Sequence, residues 1–385
     1  MRFEPALCDI LFVLAGAAWL IDRFIHGKGV PLESKDWLLL GFLLTGWIGV
    51  AYAPSIPESV RFAGITTYLA VFYYIIRQAS KDISLRNIMI SFYLASALIT
   101  VVLVWIAIAG SPLWQLPADS LLTYRTRPIA LFKSPNVAGA FIVPAALYFL
   151  WRSLQYVRPA GLAALYLISE CAVFLTMSRG ALMSLGLGCL IIFLLTPSTW
   201  RKRFTLMVLS VLVVELLSFV LAFYPATVVG ELDRVFPHMP LFRYVVTEKS
   251  LPPAGMLAIY PQGVVKDYDR GGRAYAWKAG LEIIKEQPLL GRGPGSFESL
   301  SPAIEEKLGA KIITPSAHNL YIRVMAENGI IGFALLLVFF IYAWRNARYK
   351  GDNLWIKAAL VALLVDAFFI DSLHFRHLWL LLALL

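Results

Sequence analysis

The feature that most constrains this chain is a series of long apolar runs with little charge inside them. They lie near residues 6–25, 36–53, 59–77, 87–109, 134–152, 158–177, 180–197, 203–223, 318–344 and 354–371, with a short last run from about residue 374. A helix of about 20 apolar residues matches the hydrocarbon thickness of a bilayer. Lipid offers no hydrogen bonds, so only helices or closed barrels can cross it. The runs do not alternate with a period of two, which argues against a barrel. Composition agrees: hydrophobic residues make up 59% and charged residues 15%, against about 45–50% and about 25% in soluble domains. A soluble globule, a disordered chain, collagen and a disulfide scaffold are excluded. The expected fold class is all-α, a polytopic helical membrane protein with about 11–12 transmembrane helices.

The net charge is +10, from 34 Lys+Arg against 24 Asp+Glu. In a membrane chain this reads as positive-inside bias and anionic lipid or phosphate partners, not as nucleic-acid binding. Fourteen basic residues lie in one alternate set of short connections: Arg23, Lys28, Lys35, Arg77, Lys81, Arg86, Arg152, Arg158, Arg201, Lys202, Arg203, Arg345, Arg348 and Lys350. The other set carries seven: Arg2, Arg61, Arg125, Arg127, Lys133, Arg179 and Arg376. The first set is therefore assigned to the cytoplasm. That puts the N-terminus outside, as a missing leading helix would. Glu4 and Asp9 argue against reading the first run as a cleaved signal peptide. The final run, His374–Leu385, has 12 residues. Its helix reaches about 18 Å, short of a bilayer core. Cys8, Cys171 and Cys189 sit within apolar runs and imply neither a disulfide nor a thiolate metal site.

Three regions follow: a transmembrane bundle of about eight spans over 1–223, an outer loop over 224–317, and C-terminal transmembrane helices over 318–385. The loop has 94 residues, with 11 Lys/Arg and 10 Asp/Glu. Loops beyond about 12–15 residues are usually functional or disordered. Apolar spacing predicts a helix over 273–287, ended by Pro288, and a second near 301–310.

Four constellations could carry chemistry. The first is His318-Asn319-Leu320-Tyr321, followed by Glu327-Asn328-Gly329 and Gly332. Pro315 and Ser316 predict that His318 lies in the first turn of the span from 318, on one face with Tyr321 and Ile322. It reads either as an interfacial cap or as a base facing a cavity. Gly329 and Gly332 read as sites of close helix contact. The second is Arg270, Arg273, Lys278 and Arg292. They are either phosphate ligands, since guanidinium grips phosphate bidentately, or a solvated face balanced by Asp267, Asp269, Glu282 and Glu286. The third is Arg125-Thr126-Arg127 with Lys133-Ser134-Pro135-Asn136, in which Ser134 caps and Pro135 starts a helix. The fourth is the Ser178-Arg179-Gly180 hairpin, whose arginine either snorkels or faces a phosphate. Gly291-Arg292-Gly293-Pro294-Gly295 is not a Walker loop and makes a weak anion nest. No metal set is apparent, because His374 and His377 have no accompanying carboxylate trio. Glu170, Glu215 and Asp366, placed at membrane depth, must face protein.

The stretch from Arg273-Ala-Tyr-Ala-Trp through Pro288-Leu-Leu-Gly-Arg-Gly-Pro-Gly-Ser-Phe297 to His318-Asn319 and Glu327-Asn-Gly-Ile-Ile-Gly332 resembles the O-antigen ligase / O-antigen polymerase superfamily. Arg127 with Ser134-Pro135-Asn136 and the Ser178-Arg179-Gly180 hairpin are similar to that family's upstream motifs. The resemblance covers roughly residues 110–345. It implies a bacterial inner-membrane glycosyltransferase of the helical C type, with its active site facing the periplasm. The donor would be an undecaprenyl-diphosphate-linked glycan and the acceptor lipid A–core or another lipid-linked glycan. Reaction would occur with inversion and without metal or cofactor. It also implies His318 and Arg273 as catalytic residues, with Arg125, Arg127, Arg179, Arg292, Asn319 and Tyr321 binding the diphosphate. Ligase is the leading activity and polymerase the alternative. A small-anion transporter is the alternative from another class, supported by the intramembrane carboxylates and opposed by the long outer loop.

This topology makes a direct prediction. A cysteine introduced by Ser299→Cys should react with a membrane-impermeant maleimide from the periplasm. Labelling only after the inner membrane is permeabilised would reverse the orientation.

Overall fold

The computed structural model describes residues 16–19, 21, 23–27, 31–113, 123–124, 127–155, 160–196, 264–310, 316–346 and 354–385. Most of the first expected span, Arg125, the Arg201–Arg203 run, the span expected at 203–223 and loop residues 224–263 lie outside the described residues.

The described elements are helices, apart from one small hairpin. In chain order they are α1 (Ser34–Val50), α2 (Ile56–Ala79), α3 (Ile83–Leu113), β1 (Thr123–Tyr124), β2 (Arg127–Pro128), α4 (Pro135–Gln155), α5 (Ala160–Leu175), α6 (Arg179–Leu195), α7 (Val264–Glu286), α8 (Ser296–Lys307), α9 (Leu320–Asn346), α10 (Leu354–Asp366) and α11 (Arg376–Leu384). The protein is an all-α polytopic membrane protein. Among the described residues, α2, α3, α4 and α9 each contain a stretch long and apolar enough to cross a membrane. Helices α5 and α6 are apolar but shorter, at 16 and 17 residues. The run expected at 354–371 is not one helix. It ends at Asp366, and residues 367–375 form a turn before α11.

Helix α4 is the packing centre. Fifteen of its 21 residues are buried, and it contacts α3, α5, α6 and α10. Helices α1 and α9 pack together, as do α2 and α11. At one end of the bundle a buried ion pair joins α1 to α2. Arg77 Nη1 donates to Asp36 Oδ1 at 2.8 Å and Nη2 to Asp36 Oδ2 at 2.7 Å. This bidentate geometry pairs the two charges away from water.

Helix α9 is broken at Gly329, where φ is +66° and ψ is −176°. Only glycine tolerates that region. A break at membrane depth strands backbone groups that lipid cannot satisfy. The segment after α7 supplies the partners. Arg292 N donates to Ala326 O at 2.8 Å, and Gly293 N to Glu327 O at 2.9 Å. In return, Ile330 N donates to Pro288 O at 2.8 Å and Ile331 N to Leu289 O at 3.3 Å. The Pro288–Gly293 segment is thus a backbone clip for α9. Helix α8 begins at Ser296, earlier than the expected 301, so Pro302 sits inside it instead of at its start.

The clip predicts an asymmetric glycine response. A Cβ at position 329 would lie 2.2 Å from Leu289 O, whereas one at position 64 meets nothing within 4 Å. Gly329→Ala should lower the thermal midpoint of the detergent-solubilised protein, with backbone strain alone contributing about 1–3 kcal/mol. Gly64→Ala should leave it unchanged or slightly raised, by up to about 1 kcal/mol. Equal midpoints for the two variants would contradict the clip.

Candidate functional site

At the end of the bundle opposite the Arg77–Asp36 pair, several element ends converge. The C-terminus of α5, the N-termini of α4 and α6 and the C-terminus of α10 border a small open cavity. Its lining brings together Arg127, Arg179 and Arg273 with Asn136, Met177, Ser178, Gly180, Asp366, Phe369 and Ile370. Three arginines from three distant parts of the sequence therefore border one space. Exposed helix N–H groups and the helix dipole add positive potential at the N-termini of α4 and α6.

Local chemistry fixes each wall. The hairpin pairs Tyr124 with Arg127, which brings Arg127 beside α4 and α5. Its Nε and Nη2 donate to the Thr176 carbonyl at 3.1 and 2.8 Å, and Nη2 reaches Asn136 Oδ1 at 3.4 Å. Arg127 thus satisfies a carbonyl just past the end of α5, of the kind a helix terminus leaves open. Ser134 Oγ accepts from Asn136 N at 3.2 Å, as expected for the residue before a proline-started helix. Ser178 caps α6 by accepting from Ala181 N at 3.3 Å. Met177, between the two helices, has φ of +53°.

Helix α7 delivers Arg273. One turn further on, Trp277 Nε1 donates to Ala317 O at 3.0 Å. That bond latches α7 to the segment carrying His318. Ala276, Ile283, Phe297, Ala317 and Ala326 form the small apolar core beneath the latch.

His318 does not lie in the first turn of α9, as the sequence suggested. The helix begins at Leu320, because Asn319 is the stronger cap: its Oδ1 accepts from Tyr321 N at 2.9 Å and Ile322 N at 3.0 Å. His318 stands just outside with φ of +46°. Left-handed backbone at a non-glycine residue is costly and concentrates at functional positions. Burial, helped by the Arg273 guanidinium, holds the His318 imidazole below its ordinary pKa, with Asp371 opposing.

The other expected site residues have structural tasks. Asn319 is the cap, and Tyr321 donates its hydroxyl to Leu364 O. Arg292 is absent from the cavity lining. Its side chain lies 3.8 Å from Glu286, and its backbone N–H serves the α9 clip. Arg125 lies outside the described residues.

Two features were not placed at the site from sequence. Asp366 enters the arginine cavity, although its isolation in an apolar run had marked it as a group needing a protein environment. Arg323 forms a buried brace behind His318. It pairs with Asp371, donates to Glu327 at 3.2 Å and lies 3.7 Å from Glu298. Its signal was the Arg323–Glu327 spacing inside an otherwise apolar run.

No curated protein matches this chain. Residues 162–337 match the family model described as O-Antigen ligase. That segment contains α6, the α7–α8 region, His318 and the broken part of α9. Residues 162–337, a little under half of the chain, are thus similar to the O-antigen ligase family.

Proposed function

We propose that this protein is an inner-membrane glycosyltransferase acting at the periplasmic face. It moves a glycan from undecaprenyl diphosphate to an acceptor hydroxyl, and the reaction is O-antigen ligation to lipid A–core. The observation that carries the reading is the convergence of Arg127, Arg179 and Arg273 on one cavity; His318 is not in its lining, but its imidazole feels the Arg273 charge.

The reaction asks little of the leaving group, because a diphosphate departs readily once its charge is held. Arg127, Arg179 and Arg273 bind the diphosphate and stabilise the charge that grows as the anomeric carbon–oxygen bond breaks. The acceptor oxygen attacks the anomeric carbon from the opposite face, with inversion. The bond's electron pair leaves with the diphosphate, and His318 takes the acceptor's proton. A lowered imidazole pKa suits this role, because it keeps the ring neutral and able to accept a proton at pH 7. Of the intramembrane carboxylates that kept a transporter reading open, Asp366 lines the arginine cavity and Glu170 is buried on α5, while Glu215 lies outside the described residues.

His318→Ala should reduce transfer by about 10²–10⁴-fold while leaving donor binding largely intact. His318→Gln should be nearly as poor, because an amide cannot take the proton. The wild-type rate should rise with pH along a limb centred below the ordinary imidazole value of about 6.5, and neither variant should show that limb. Full activity in His318→Gln would make His318 a positioning group. EDTA should leave transfer unchanged; loss reversed by Mg²⁺ or Mn²⁺ would overturn the metal-free mechanism. Lipopolysaccharide gels of a deletion strain identify the acceptor. Complete loss of core-linked O-antigen supports ligation, whereas retention of a single repeat on the core indicates polymerisation.

A further inference from the structure

The clip that completes α9 has an apolar tip. Pro288, Leu289 and Leu290 are consecutive and all exposed, Leu289 at 61%. Charged groups flank the three: Lys285 and Glu286 at the end of α7, and Arg292, whose side chain lies 3.8 Å from Glu286. Three exposed apolar residues in a row on a water-facing turn are a liability unless they meet a partner.

Backbone pairing fixes the depth of this tip. Ile331 N donates to Leu289 O, so Leu289 lies level with Ile331 on α9. Trp344 and Arg345 mark the far end of that helix, and Lys357 lies over the Trp344 ring at 5.4 Å. Aromatic and basic residues gather at such a membrane boundary. Ile331 is 14 residues from Arg345, about 21 Å along the helix and inside a hydrocarbon core about 30 Å thick. Helix α1 agrees. A Cβ at position 332 would lie 2.7 Å from Thr45 Oγ1, and Thr45 is nine residues beyond Asp36 of the buried ion pair, about 14 Å. Arg292 N instead pairs with Ala326 O, 19 residues from Arg345. At about 28 Å this is close to the opposite edge of the core. The leucines therefore fall inside the core and the arginine at its edge.

The surface beside the tip is that of a lipid-facing helix. No residue of α9 from Leu320 to Gly329 is exposed, whereas Ile330, Ile331, Leu337, Val338 and Ile341 are. Leu289, hydrogen-bonded to Ile331, continues that apolar stripe onto the clip.

We propose that Pro288-Leu289-Leu290 is a re-entrant anchor whose partner is the acyl chains of the leaflet nearest the arginine cavity. The tip dips below the headgroups, while Glu286 and Arg292 stay at their level. The exposed backbone of such a dip is tolerated because α9 pairs with it. Helix α7 ends at this tip and carries Arg273, so the anchor ties one wall of the cavity to the bilayer. The anchor stands whatever substrate the cavity takes.

The test uses the full-length protein in phosphatidylcholine–phosphatidylglycerol nanodiscs, with Cys8, Cys171 and Cys189 replaced by alanine. One nitroxide label is placed at Leu289→Cys, at Val338→Cys on the exposed stripe of α9, or at Ser299→Cys on α8. Power-saturation electron paramagnetic resonance reads collisions with oxygen, which concentrates in lipid, and with a nickel chelate, which stays in water. Oxygen should dominate at 289 as at 338, and the chelate at 299. Chelate access at 289 equal to that at 299 would overturn the anchor. A label at 289 reached by neither reagent would overturn it too, because protein and not lipid would then cover the tip. Stability gives a second readout. In nanodiscs Leu289→Asp should lower the thermal midpoint by at least about 2 °C and Leu289→Phe should not, because a carboxylate is costly among acyl chains and harmless on a turn in water. Equal midpoints for these two variants would contradict the proposal.

Discussion

A bilayer interior gives backbone groups nothing to bond with, so a helix that breaks there must be completed by other parts of the same protein. The site depends on how this chain completes α9. Gly329 opens the helix, and residues 288–293 fill the gap with four backbone hydrogen bonds, two in each direction. That exchange anchors the segment leading into α8. It also closes off the C-terminal end of α7, the helix that carries Arg273. Trp277 then ties α7 to Ala317, the residue before His318, and the Arg273 charge reaches the imidazole. Two glycine-containing stretches far apart in sequence are therefore the two halves of one joint.

Behind the site lies a second layer of charged groups centred on Arg323. Arg323, Glu327, Glu298 and Asp371 connect α9, α8 and the turn between α10 and α11, and the Arg323 guanidinium also lies over the Phe62 ring of α2 at 4.7 Å. A buried ion network is weak evidence for stability, because desolvation offsets much of the attraction. It does hold groups in fixed places, since removing one partner leaves an uncompensated buried charge. Here it fixes the first half of α9, just after His318. It also fixes the turn that carries Phe369 and Ile370 into the arginine cavity.

The fold class was readable from apolar run length, because lipid thickness sets helix length directly. So were the starts of α4 and α6, where Ser134-Pro135 and Ser178 carry local capping chemistry. Arg127, Arg179 and Arg273 stood out because guanidiniums beside apolar runs need a reason, and the structure places all three on one cavity lining. What stayed hidden depended on distant partners. Tyr321 is committed to Leu364, and Arg292 to Ala326 and Glu286. No local rule links those residues. Asn319 was read as a ligand, although its spacing to Tyr321 and Ile322 suits a cap equally well. Asp366 was visible as an expensive group at membrane depth, but its place beside Gly180 follows only from the crossing of α6 and α10.

The central claim is that the arginine cavity holds the donor's diphosphate with its reacting carbon turned toward His318. Cryo-electron microscopy of the protein in nanodiscs, bound to a non-transferable phosphonate analogue of a lipid diphosphate glycan, tests it most directly. The account predicts oxygens of both phosphates within hydrogen-bonding reach of the Arg127, Arg179 and Arg273 guanidiniums, the lipid leaving between helices and the first sugar directed toward His318. Density for the diphosphate at any other position, or with the sugar directed away from His318, would contradict it.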